Sequence, residues 1–177
     1  MGARSAAPNA LEQVRKFLNT WRIPNDTRVV TDLLPELIKD DGAWQDELPG
    51  VTGPRTLPEL TRLREELRGA LGQARPDLAE LLRQHPVVAV IGSEEAGQPP
   101  ITHVPLRAGA AGVLTGVVVD ALALGLWDRL KACPDCKWVF YDHSRNGSRT
   151  WCGMYAESPQ GRACGSIAKM RAYRARK

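Results

Sequence analysis

Through the first half of the chain, apolar positions recur mostly at helical spacing. Leu11, Val14, Phe17, Leu18 and Trp21 share one face at 100° per residue, which predicts a helix over 11–21 with Asn9 as its N-cap. Val30, Leu33, Leu34, Leu37 and Ile38 repeat the spacing over 29–38. Pro35 interrupts that stretch, so a kinked helix or two short ones are expected there. Residues 42–58 lose the period and gather Pro49, Gly50, Gly53 and Pro54, the composition of a loop. Thr56 then stands at a cap position, with Pro58 and Glu59 in the first turn of a helix over 57–71 whose buried stripe is Leu60, Leu63, Leu67 and Leu71. A short helix is expected over 76–84.

The pattern changes after Pro86. Val87, Val88, Ala89, Val90 and Ile91 form a continuous apolar run, and a second run over 101–106 follows a segment with Gly97, Pro99 and Pro100. Two such runs around a Gly/Pro loop predict a β-hairpin. Residues 108–127 are nearly all apolar, but Asp120 and four glycines interrupt them. A charge near the middle of a membrane span costs about 2.5–3.5 kcal/mol on insertion scales, so this stretch reads as a buried core helix over 110–124. No internal repeat is present.

Charge divides the chain unevenly. Residues 131–177 hold ten Lys and Arg against Asp135, Asp142 and Glu157, a net of +7, whereas the first 130 residues carry 14 cations against 17 acids, a net of −3. A basic C-terminal segment is the footprint of a polyanion contact, and a solvated face gives the same count. Residues 1–10 are small and polar with no apolar core of a secretion signal, so the expected compartment is the cytoplasm, away from any membrane. The sequence has no G-x-S-x-G, H-E-x-x-H or phosphate-loop motif, and His85, His103 and His143 are scattered, so no enzyme activity is expected.

The four cysteines carry the strongest chemistry. Cys133 and Cys136 form a C-x2-C, followed after 15 residues by Cys152 and after 11 more by Cys164, with none in the first 132 residues. Thiols confined to one quarter of a chain fit a metal site better than a disulfide framework. Zinc in a structural site takes four soft ligands in a tetrahedron, and two residues between the first pair let both sulfurs face one ion. A redox pair at Cys133 and Cys136, or unconnected buried thiols, are the alternatives. Residues 138–141 read as a strand leaving the knuckle, Ser144 to Gly147 as a bend, and Cys164 as the start of a basic helix. Knuckle, hairpin and helix-borne ligand make the layout of a treble-clef-like finger holding one structural zinc ion. Trp138 and Trp151 are expected to pack over the knuckle, Asp142, Ser144 and Asn146 to hold its loop through side-chain to backbone hydrogen bonds, and His143 to be an exposed loop residue.

These residues resemble the bacterial CGNR zinc-finger family. Cys133 and Cys136 are followed by Phe140, Asp142, Ser144, Asn146, Arg149, Trp151 and Cys152, then by Cys164, Gly165 and Lys169, in the family's order. In that family the finger follows an N-terminal domain of the ABATE type, described as a stress-induced transcription regulator. Phe17, Asn19 and Thr20 resemble its F-x-N-T signature, and Asp32, Leu33 and Leu34 fall in a matching place. Three departures stand out: Ser166 and Ile167 replace the name-giving Asn and Arg, Thr150 replaces an Arg, and the connection between the last two cysteines is longer.

Together these readings predict an α+β protein: a mainly helical domain with one β-hairpin over 1–128 and a four-cysteine finger over 129–177. The metal ligands expected are Cys133, Cys136, Cys152 and Cys164. The resemblance implies transcription regulation, with DNA as the partner. The basic residues able to reach phosphates are Arg145 and Arg149 in the loop and Lys169, Arg171, Arg174 and Arg176 on the last helix. The alternatives are a zinc-stapled adaptor for a protein partner or a homodimer, and a thiol-based redox sensor.

Overall fold

The computed structural model describes residues 6–24, 26–92, 100–153 and 163–175. Helix α1 (Leu11–Leu18) buries the stripe expected of it: Leu11, Val14, Phe17 and Leu18 are all inside. It ends before Trp21, because Trp21 enters a short ladder between β1 (Trp21–Arg22) and β2 (Thr31–Asp32). Asn9 does not cap it. That residue takes φ 51, a left-handed conformation that asparagine tolerates, and the cap position passes to Ala10 without a side-chain bond.

Residues 29–38 depart from the helix expected there. Val29 and Val30 are 65% and 56% exposed, and only α2 (Leu34–Leu37) is helical. Proline is tolerated in a first turn and not beyond, so the helix begins at Leu34, immediately before Pro35. Asp32 fixes that start by accepting from the Leu34 amide at 3.1 Å. Its carboxylate is gripped in turn by the buried Arg64 at 2.7 and 2.6 Å, and that hydrogen-bonded pairing holds the Asp32 carboxyl below the usual range.

The loop expected over 42–58 contains a helix at its start, α3 (Asp41–Glu47). Asp40 caps it through the Ala43 amide at 3.0 Å, and Trp44 anchors it, fully buried with its indole N–H donating to the Val51 carbonyl at 2.6 Å. Helix α4 (Leu57–Gly69) buries Leu60, Leu63 and Leu67 as predicted, although Thr56 makes no side-chain cap bond. Helix α5 (Ala79–Gln84) leads to the hairpin, where β3 (Val87–Ile91) pairs with β4 (Ile101–Pro105) in the register Ala89 to His103.

Helix α6 (Ala110–Ala123) closes over β4, and two glycines set the approach. A Cβ on Gly112 would lie 2.7 Å from the Pro105 Cβ, and one on Gly116 would lie 2.3 Å from the His103 carbonyl oxygen. Backbone cannot yield as a flexible side-chain end can. Gly116→Ala is therefore expected to destabilise the fold by about 1–3 kcal/mol through forced separation of α6 and β4, read as a lowered urea midpoint. An unchanged midpoint would contradict this packing. Among the described residues, no helix is long and apolar enough to cross a membrane.

A 3-10 turn at Trp127–Arg129 leads into β5 (Leu130–Ala132), which pairs with β6 (Val139–Tyr141), and α7 (Cys164–Arg174) follows. The expected boundary after residue 128 falls inside a shared core. Leu130, Val139 and Tyr141 belong to the same buried cluster as Phe17, Leu63 and Leu114. Across it, Asn19 clamps the Val139 peptide: Nδ2 donates to the carbonyl at 2.8 Å and Oδ1 accepts from the amide at 2.8 Å. The mixed α+β class holds, with a mainly helical body, the hairpin and a small cysteine-bearing end.

Candidate metal centre

The turn between β5 and β6 is a knuckle. The Cys133 amide donates to the Trp138 carbonyl and the Lys137 amide to the Cys133 carbonyl, both at 2.9 Å. Closing the turn this tightly puts Lys137 at φ 60, in the left-handed region. Cys133 and Cys136 are thereby buried side by side. Cys164 is the first residue of α7, and the Gly165 amide donates to the Gly153 carbonyl at 2.9 Å, tying the helix start to the residue after Cys152.

All four sulfurs lie within 4.8 Å of one another, with 3.4 Å between Cys136 and Cys152 and 3.8 Å between Cys152 and Cys164. Zinc–sulfur bonds of about 2.3 Å in a tetrahedron require sulfurs roughly 3.8 Å apart, so this donor set fits one zinc ion. Phe140, Trp138 and Trp151 surround the sulfurs in a separate small cluster, as expected of the tryptophans. Hydrogen bonds from Cys136 and Cys152 hold the Cys133 thiol far below its usual range. Contact with Cys133 pushes Cys136 and Cys152 up, and burial pushes Cys164 up. A divalent cation bound there would replace the protons these sulfurs otherwise share.

The loop after β6 is organised by Asp142, which is fully buried. It accepts from the amides of Ser144 (2.9 Å) and Arg149 (2.7 Å) and from Lys131 Nζ (2.9 Å). Burial alone would raise its carboxyl, but the bonds from Ser144, Lys131 and Arg149 outweigh it and hold the group well below the usual carboxylate range. Ser144 Oγ accepts from the Ser148 amide at 3.1 Å, and Gly147, at φ 59, completes the bend. Arg129 clamps the same loop from outside by donating to the carbonyls of Asp142 and Ser144 at 3.0 and 2.7 Å. Neither Arg129 nor Lys131 carries a sequence signal of this role. His143 is exposed, as expected, and its ring nitrogen lies 2.7 Å from the Ala6 carbonyl.

The six basic candidates separate into groups. Arg149 turns inward. Its guanidinium stacks 5.0 Å over the Phe140 ring and donates to the carbonyls of Trp151 (2.8 Å) and Cys152, so it braces a ligand loop instead of facing solvent. Arg145 is exposed at the bend, and Lys169, Arg171 and Arg174 are exposed along α7, beside Met170 and Tyr173. Arg171 borders a cleft of about 140 Å³ with Pro134, Asp135 and Trp151. Arg176 lies outside the described residues, as does most of the long connection before Cys164.

Residues 129–177 match the family model of the CGNR zinc finger, the stretch that carries all four sulfurs. No curated protein matches the chain. Cys133, Cys136, Cys152 and Cys164 are thus a four-sulfur set able to hold one zinc ion, in the segment that matches this zinc finger.

Proposed function

We propose that the chain is a DNA-binding transcription regulator in which zinc is structural and α7 presents cations to the phosphate backbone. The observation that carries this reading is that Lys169, Arg171 and Arg174 are all exposed, Arg171 and Arg174 on neighbouring rows, on a helix whose first residue is a cysteine of the metal site. None of the three has an ion pair among the described residues. Arg145 stands on the adjoining loop. Contacts of this kind position a protein on DNA without reading its sequence. The helical body, read as an ABATE-like domain, would sense a signal or mediate assembly. Four thiolates complete a tetrahedron and leave no position for a substrate water, so the reading assigns the metal no catalysis.

The test is the salt dependence of duplex binding. Each phosphate contact contributes about 0.9 to the slope of log K against log salt. Lys169→Ala with Arg174→Ala is expected to weaken binding and lower the slope by roughly 2 in absolute value. A slope unchanged by both substitutions would remove α7 from the interface.

A second reading rests on a different observation. Besides the Asn19 clamp, Arg68 donates to the Lys137 carbonyl at 2.7 Å and Arg28 to the Asp135 carbonyl at 3.0 Å. Three side chains of the helical body therefore hold the knuckle. This favours zinc as a staple that shapes the C-terminal end for a protein partner, and under that reading the double substitution leaves partner capture intact.

A further inference from the structure

The β3–β4 hairpin has one blocked edge and one open edge. The Gly92 amide donates to the Pro100 carbonyl and the Leu106 amide to the Pro86 carbonyl, which sets the parity of the ladder. Val88 and Val90 then direct their backbone groups toward β4, while Val87, Ala89 and Ile91 direct theirs away from it. On the far side of β4, Pro105 has no amide hydrogen, and the His103 amide donates to Asp120 at 3.0 Å. That edge is closed. On β3 the outward amides and carbonyls of Val87, Ala89 and Ile91 have no partner among the described residues.

The exposed side chains repeat this asymmetry. His103 and Pro105 face α6, so alternation puts Val88, Val90 and Val104 on the opposite face, where each is about 40% exposed. Ile91, at the end of the strand, is 84% exposed. A continuous apolar strand is the pattern of one covered on both faces, yet here four of its five side chains, Val88 to Ile91, and one edge stand open. No Lys, Arg, Asp or Glu lies within 86–92 or 100–106, so the charges that usually protect an open edge are missing.

We infer that β3 pairs antiparallel with β3 of a second copy, across a two-fold axis at Ala89, making a four-stranded sheet. The run Val87, Val88, Ala89, Val90, Ile91 is nearly palindromic about its centre. The axis at Ala89 joins Val87 to Ile91 of the second copy and Ala89 to its own counterpart. Those are the residues whose backbone groups point outward, so every pair exchanges two hydrogen bonds. The same register sets Val88 against Val90 of the second copy on the exposed face. A strand that matches itself in register, hydrogen-bond parity and apolar face favours an identical partner over a foreign one. The inference stands independently of DNA binding.

Sedimentation velocity of the zinc-loaded full chain over a concentration series tests it. The expected result is a species of twice the 19.4 kDa chain mass at micromolar concentration. Ala89→Pro removes only an outward donor and is tolerated on an edge strand, so it is expected to keep the fold and zinc content. It should raise the dimer dissociation constant by at least about thirtyfold. Val90→Lys, on the solvent face, should likewise give monomer, whether or not the proline variant folds. Mixing Val90→Lys with Val88→Asp should restore a dimer through the opposed Lys and Asp. A wild-type chain that stays monomeric, or a dimer that tolerates both Ala89→Pro and Val90→Lys, would overturn the pairing.

Discussion

Stripping zinc with a chelator at neutral pH is expected to release α7 while the helical body, with the β5–β6 hairpin held to it, stays folded. The sulfurs and the rings around them form a cluster separate from the main core, and among the described residues α7 contributes only Cys164 to its buried set. Structural zinc contributes an apparent free energy of about 10–16 kcal/mol in small fingers. An 11-residue helix is too short to persist in water without tertiary anchoring. Amide exchange should therefore become fast across 164–174 when the metal is removed, while amides in α4 and α6 remain protected. Cys164→Ser should do the same with zinc present, since it cuts the only bond from α7 to the ion. Protection of 164–174 after complete metal removal would contradict zinc as the anchor of this helix.

The second large effect is expected at Asn19. Its amide satisfies both the N–H and the C=O of the fully buried Val139, because a carboxamide carries its donor and its acceptor on two separate atoms that can meet both groups together. Asn19→Ala leaves the Val139 amide without a partner, and the carbonyl keeps only the longer bond from Arg15 at 3.3 Å. An unsatisfied buried amide costs about 1–3 kcal/mol, so a loss of roughly 3 kcal/mol is expected for the pair of bonds. Asn19→Asp is expected to fare no better, because it sets a carboxylate oxygen against the Val139 carbonyl. Urea unfolding measures both. Because the clamp joins α1 to β6, the body and the β5–β6 hairpin should lose stability in a single transition. Two separate transitions in the wild type, or a cost below about 0.5 kcal/mol, would show that the shared core does not couple them.

The Asn19 result bears on what the sequence makes legible. Phe17 is legible from the apolar period of its helix, but Asn19 and Thr20 stand out only by resemblance, and their physical roles emerge from the fold: a peptide clamp, and a hydroxyl that accepts from Arg64 at 2.8 Å. The helix at α4 was readable because Leu60, Leu63 and Leu67 recur at helical spacing, although Leu71, expected on the same stripe, lies past the end of the helix at Gly69. The hairpin was readable because a β-branched run between breakers has few other outcomes. The stretch over 29–38 was not, since its five apolar positions mimic a helical stripe while Pro35 and the Asp32–Arg64 pair impose a ladder and one turn. Helix α3 was hidden because a single buried residue, Trp44, sets no period.

At the metal centre the ligands were legible and their surroundings only partly so. Four cysteines in one quarter of the chain have few other uses, and the structure brings all four together. The polar motif between them is loop architecture at Asp142 and Ser144, whereas Asn146, expected to share that role, is exposed and makes no side-chain hydrogen bond among the described residues. Arg149 shows the limit of reading charge from sequence. A loop arginine next to a basic helix looks like a phosphate contact, yet its fork is committed to the carbonyls around Cys152. Net charge counts cations without saying which are already paired. Among the described residues, the exposed cations on α7 are Lys169, Arg171 and Arg174.

The central claim is that Cys133, Cys136, Cys152 and Cys164 together hold one zinc ion, and native mass spectrometry with thiol counting tests it most directly. Protein purified without added metal should carry one zinc per chain and four thiols protected from alkylation, all four becoming reactive after chelation. A chain free of metal, or one binding zinc while Cys152 or Cys164 alkylates freely, would contradict the four-thiolate site.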